Sequence, residues 1–190
     1  MDPDNIIIRI AGKDDEQYAI EISEETERSA IQRGSGISRR TPESIIQKMR
    51  EGKAVVAVTN DNKWVGFSYL EIWSNGEFVS NSGLIVAPSY RLSGIAKKIK
   101  NKIFKLSRSK YPKSNIFCIT TGLTIMKMNA GLGFEPVTFN EITKESGFWE
   151  GCKSCVNYDI LQQKQCKNCL CTAMLYIPPV KKVLTTKAAV

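Results

Sequence analysis

Five of the six cysteines fall in one short stretch, as Cys152-x2-Cys155 and then Cys166-x2-Cys169-x-Cys171. Two Cys-x2-Cys knuckles are the sequence form of a tetrahedral thiolate zinc site, and four thiolates leave no open coordination position, so such a metal would be structural. The candidate ligands are Cys152, Cys155, Cys166 and Cys169, with Cys171 able to replace Cys166. Free thiols beside a final strand are the alternative, and a reducing cytoplasm disfavours disulfides. The sequence contains no His. That excludes Ser-His and Cys-His nucleophilic pairs and leaves proton transfer to carboxylates, Tyr, Cys or water. Cys118, inside the apolar run Ile116 to Ile119, reads as a buried structural thiol.

A different chemistry is offered by Arg91-Leu92-Ser93-Gly94-Ile95-Ala96-Lys97, which follows a strand-like run and opens a helical one. Backbone N–H groups at a helix N-terminus have no intrahelical partner and carry the positive end of the helix dipole, so they can grip a pyrophosphate. Gly94 lets an anion approach the backbone closely. An ordinary helix start is the plainer reading of the same residues.

The elements that must position these groups can be read from periodicity. Asn5 to Ile10 is a strand, Glu16 to Gln32 a helix before the flexible Arg33 to Gly36 stretch, and Thr41-Pro42-Glu43-Ser44 an N-capped start to a second helix ending at Gly52. Lys53 to Thr59, Lys63 to Trp73 and Glu77 to Val86 read as an antiparallel meander, with Asn75-Gly76 as a hairpin turn. Ile95, Ile99, Ile103 and Leu106 recur at helical spacing through about Lys110. Asn115 to Thr121 is a strand, Leu123 to Leu132 a helix ended by Gly133, Glu135 to Phe139 a strand, and Leu170 to Pro178 a seventh. This order predicts an α+β domain with a mixed sheet.

With 190 residues, 42% of them hydrophobic, the chain has room for one domain with a real core. No secretory leader and no apolar run near the roughly 20 residues of a membrane helix is evident, so a cytoplasmic, membrane-free protein is expected. The net charge of +8 suits an anionic partner without choosing one. Nucleic acid is not expected, because residues 152 to 171 hold only Lys153, Lys164 and Lys167 as cations, offset by Asp159, and no clear aromatic stacking series.

The Arg91 to Ala96 segment resembles the Q/R-x-x-G-x-G/A acetyl-CoA signature of the GNAT superfamily of N-acetyltransferases, and Leu132-Gly133-Phe134 matches that family's L-G-F ending. The resemblance covers roughly residues 5 to 140. It implies the GNAT fold, a mostly antiparallel mixed sheet of about seven strands flanked by helices. Residues 1-150 would form the acyltransferase domain and 151-190 a Cys-rich segment completing the sheet, with or without a metal staple. It further implies acetyl-CoA as donor. Backbone groups of Arg91, Leu92, Ser93, Gly94, Ile95, Ala96 and Lys97 would hold the pyrophosphate, and main-chain groups of Leu84, Ile85 and Val86 the pantetheine arm, like an added strand. A neutral amine would attack the thioester while a backbone N–H near Val86 polarises the oxyanion. The Tyr with which many members protonate the leaving thiolate is replaced by Asn129, so either Asn129 or a solvent proton serves the sulfur. Glu71 is the candidate base, its alternative being the solvent face of an alternating strand.

Within the family, Asn81-Ser82-Gly83-Leu84-Ile85-Val86, Ile119-Thr120-Thr121 and Arg39-Arg40-Thr41-Pro42 resemble bacterial glutamate N-acetyltransferases of arginine biosynthesis. A diacid amine needs fixed cations, which Arg39, Arg40 and Lys48 can supply, unless they are a solvated cluster at a helix start. Another amine, such as an amino sugar, peptide or protein, is the alternative acceptor, and acetyl and succinyl are both open as the acyl group. A homodimer is allowed. Remaining alternatives are a Cys-knuckle nucleic-acid binder and a CoA-binding domain without catalysis.

Overall fold

The computed structural model describes residues 6–32, 34 and 39–179. Asn5, most of the Arg33 to Gly36 stretch and the basic Lys181 to Val190 tail lie outside them.

Alternating β-branched residues and the punctuation between them set the first half. The strands β1 (Ile6–Ile10), β2 (Ala54–Thr59), β3 (Trp64–Trp73) and β4 (Phe78–Val86) form an antiparallel meander, preceded by helices α1 (Ala19–Gln32) and α2 (Pro42–Arg50). Thr41 caps α2, its Oγ1 accepting from the Ser44 N–H at 3.2 Å, with Pro42 supplying the preset φ of the first turn. Ile45 and Met49, four residues apart, are the face that α2 buries. Helix α3 (Ile95–Lys110) buries Ile95, Ile99, Ile103 and Leu106. Then follow β5 (Asn115–Thr120), α4 (Leu123–Ala130), β6 (Glu135–Val137), two short helices α5 (Ser146–Glu150) and α6 (Tyr158–Gln163), and β7 (Thr172–Tyr176).

The seven strands make one sheet in the order β1-β2-β3-β4-β5-β7-β6, parallel only between β4 and β5. This is the α+β mixed sheet expected from the element order. Side chains alternate across it: Val56, Val58, Phe67, Tyr69 and Ile85 pack under α1 and α2, whereas Val55, Ala57, Val65, Leu70 and Val79 pack under α3. Beyond β5 a third cluster, with Phe78, Phe117, Phe139, Ile142, Leu161 and Leu175, lies beneath α5 and α6.

Two boundaries differ instructively from expectation. β6 stops at Val137, because Thr138 caps a short turn, its N–H donating to Glu141 Oε2 at 2.8 Å. Helices α5 and α6 were not foreseen, since five or six residues carry too little periodicity to detect.

Two irregularities make the sheet open rather than continuous. The β3–β4 register shifts between the pairs Phe67↔Ile85 and Tyr69↔Ser82. Gly83, at φ 64°, sits at that shift, and a Cβ there would lie 2.6 Å from the Tyr69 ring. The bend allows β4 to leave β5: the two pair only from Phe78↔Asn115 to Ser80↔Phe117. Past Ser80 and Phe117 the strands diverge around a cavity.

Candidate active site

The turn ahead of α3 is built from backbone. Leu92 and Gly94 both adopt positive φ, 63° and 80°, and Leu92 is fully exposed. Among the described residues, no carbonyl of the chain receives the N–H groups of Leu92 to Lys97. With the helix dipole behind them, they are available to an anion. The Arg91 side chain is engaged elsewhere. Its Nε donates to Val86 O at 3.0 Å and its guanidinium to Glu25 Oε1 at 2.7 Å and Ser29 Oγ at 3.2 Å, tying α1 to the end of β4. Glu25 is buried, so this pair positions the turn, and the Arg91 N–H is engaged as well, donating to Pro88 O at 3.3 Å, so the open N–H groups begin at Leu92.

The cavity where β4 and β5 part measures about 790 Å³. Leu84 and Ile85 line it as expected for a ligand strand, but Val86 does not, and its carbonyl is taken by Arg91. The residues from Arg91 to Lys97 do not line it either. Lys97 belongs to a smaller hollow between α3 and α4, with Asn101, Lys127 and Leu132.

Arg39, Arg40, Lys48 and Glu71 all line the main cavity, so the structure brings the expected cations and the expected base together. They are paired rather than free. Lys48 Nζ binds Glu71 Oε1, a pairing of the candidate base with a candidate cation that the sequence analysis did not anticipate. Arg39 pairs with Glu27, and its backbone N–H donates to Ser154 Oγ at 2.9 Å. Arg40 Nε donates to the Tyr69 hydroxyl, and its guanidinium lies 5.7 Å from the centre of that ring. Tyr69 is buried and its ionisation is pushed up by burial. Trp73, Phe117, Phe148 and Trp149 complete an aromatic wall, with Trp73 and Phe148 edge to face at 5.3 Å.

Asn129 is placed differently from the expected thiolate partner. It is fully buried, outside the cavity wall, and its Nδ2 donates to Cys118 Sγ at 2.9 Å and Met174 Sδ at 3.5 Å. Its Oδ1 has no hydrogen-bond partner among the described residues. Cys118 does reach the cavity, and burial pushes its thiol up, away from thiolate. Sequence reasoning passed over Lys100, which is 3% exposed yet lines the cavity. The available signal was its place beside Ala96, Ile103 and Ser107 at helical spacing, within the stripe that α3 turns inward.

Four of the clustered thiols, Cys152, Cys155, Cys169 and Cys171, line the cavity, whereas Cys166 is exposed and stands apart. Cys155 Sγ accepts from the Asn157 N–H at 3.4 Å and Cys169 Sγ from the Cys171 N–H at 3.3 Å. Among the described residues, no three His, Cys, Asp or Glu side chains are grouped so as to hold a metal ion. The expected set Cys152, Cys155, Cys166 and Cys169 therefore does not fit zinc, with Cys166 exposed, and the set with Cys171 in place of Cys166 is not grouped for it either. Cys169 is drawn down to about 6 by hydrogen bonding from Cys171, while burial and its thiol neighbours push Cys152 up to about 11. Among the described residues, no helix is long and apolar enough to cross a membrane.

No family model and no curated protein matches the chain. Solved structures do. N-acetylglutamate synthase from Neisseria gonorrhoeae, complexed with coenzyme A and N-acetyl-glutamate, superposes with a TM-score of 0.64 at 15% identity over 92% of this chain. The match spans about a third of that protein, 35% of its length. Rv2747 from Mycobacterium tuberculosis, in complex with CoA and NLQ, gives 0.64 at 18% identity, covering 90% of this chain and 98% of that one. A GNAT family acetyltransferase from Listeria monocytogenes gives 0.56 at 15% identity, covering 70% and 87%. At these identities the likeness speaks for architecture, and with the split between β4 and β5 and the open turn before α3 it says that this chain has the GNAT acetyltransferase fold.

Proposed function

We propose that the protein is an acyl-CoA-dependent N-acyltransferase that moves an acetyl or similar acyl group to the amine of a small substrate. The observation that carries this is the pairing of a split between β4 and β5, opening into the cavity, with a turn of unengaged N–H groups at the head of α3. Such a turn receives a pyrophosphate, and the free edge of β4 at Leu84 and Ile85 receives an extended amide-bearing arm. The thioester then lies in the split, where a β4 backbone N–H polarises its carbonyl.

Glutamate is the proposed acceptor, which would place the protein in arginine biosynthesis in the cytoplasm. Arg40 and the Lys48–Glu71 pair support this, since they put cationic groups and a carboxylate in the lining of the cavity. A substrate carboxylate that takes Lys48 frees Glu71 to accept a proton from the ammonium, directly or through water. The amine attacks, the C–S bond breaks, and its electron pair leaves on the CoA sulfur. From the Cys-rich segment, Cys152, Cys155, Tyr158, Leu161, Cys169 and Cys171 enter the proposal as part of the cavity wall, beside the acyltransferase domain that precedes them. Zinc is left out because the thiols are not grouped for it.

The test is thiol release from acetyl-CoA with glutamate, other amino acids, amino sugars and peptide amines. Release with glutamate supports the full reading. Release only with amino sugars or peptides removes glutamate, and no release with any amine removes the enzyme.

A further inference from the structure

Lys100 lies on α3 with its side chain among apolar groups and, among the described residues, no carboxylate within ion-pair distance and no hydrogen-bond acceptor. Its ammonium sits 5.2 Å from the centre of the Phe134 ring, a partner that offsets only part of the lost hydration. Burying an ammonium on such terms is unfavourable, and an apolar residue would fill the same place at lower cost. The position explains what the charge can do. Lys100 lines the main cavity together with Leu84, Ile85 and Cys118, at the point where β4 and β5 part. It also lines the smaller hollow with Lys97 and Lys127, so it borders both spaces.

Asn129, the side chain expected to serve the sulfur, is instead turned into Cys118 and Met174. Resting on the acyltransferase reading above, we propose that Lys100 is the proton donor to the leaving sulfur of CoA. As the tetrahedral intermediate collapses, the C–S electron pair passes to sulfur, and the Lys100 ammonium delivers a proton to form the free thiol. Neutral Lys100 then regains a proton from water entering the cavity, which balances the proton shed by the attacking amine. The groups facing Lys100 are the Cys118 thiol from β5 and the Phe134 ring, while Lys97 and Lys127 share the lining of the smaller hollow with it. Desolvation lowers its proton affinity and makes it a stronger acid than a surface lysine.

The test follows the ultraviolet absorbance of CoA thiolate against pH in complexes of the full chain with CoA, beside steady-state turnover of acetyl-CoA. Lys100→Met should make the bound thiol harder to ionise by about one pH unit, a tenfold change in its acid constant. It should lower kcat about 10²-fold while the KM for acetyl-CoA stays within about twofold. Lys100→Arg keeps a charge that cannot be surrendered, so the thiol stays easy to ionise while kcat still falls. Thermal melts establish that each variant is folded. Equal thiol ionisation in wild type and Lys100→Met, or a normal kcat in either variant, overturns the donor role while leaving the acyltransferase reading in place. Failure of the wild type to bind CoA overturns both.

Discussion

The two ends of the proposed site, the turn before α3 with the edge of β4 and the cavity beyond it, are built from different materials. At the donor end the groups that would hold the ligand are backbone N–H groups between Leu92 and Lys97 and the freed edge of β4, exposed by Gly83 and Gly94 at positive φ. At the acceptor end they are side chains, Arg40 with Tyr69 and Lys48 with Glu71, set against an aromatic wall. Backbone recognition suits a constant donor. Side-chain recognition can be changed residue by residue and suits a specific acceptor.

The comparison can be broken first at Gly83. Gly83→Val combines an unfavourable φ with a collision at the Tyr69 ring, so we expect a loss of about 3 kcal/mol of stability and of CoA binding, read by thermal melts and titration. Glu71→Gln should act at the other end only. It should lower kcat about 10²-fold with CoA affinity retained, and a parallel loss of CoA affinity would show that the two ends are not separable.

How much of this was legible follows from the same division. Gly94 between Arg91 and the Ile95, Ile99, Ile103 stripe could be read, because a backbone site leaves a short linear pattern of glycine, helix start and strand end. The Lys48–Glu71 pair could not, since its members come from α2 and β3, and only folding brings them together. Arg91 shows the limit of a motif: its position was found, but its side chain serves Glu25 and Val86. Lys100 was hidden by its residue type, which is almost always solvated on a helix rich in Lys. The cysteine spacing alone does not group the thiols: Cys166 is exposed, and the set with Cys171 in its place is not gathered for a metal either.

Arg91→Met sharpens the contrast between motif and side chain. It should destabilise the fold by about 2 kcal/mol by removing the main partner of buried Glu25. Once folded, the variant should bind CoA as the wild type does, checked by titration. Lys100→Met should raise the melting temperature by about 2–4 °C at neutral pH. Because burial lowers the folded-state affinity of Lys100 for its proton, its cost is full below the folded-state pKa. The cost is relieved as pH rises toward the ordinary lysine range, so the gain from Met should shrink there. The smallest effect concerns the thiols: Cys169, lowered to about 6 by Cys171, should be alkylated before Cys152 at neutral pH, read by mass spectrometry.

The most direct test is thiol release from acetyl-CoA in the presence of glutamate, with the N-acylated product identified in the same mixture. The account predicts one thiol released per N-acetylated glutamate formed, with turnover lost in Glu71→Gln. Folded protein that binds CoA but releases no thiol with glutamate or any other amine would contradict it, leaving a CoA-binding domain without catalysis.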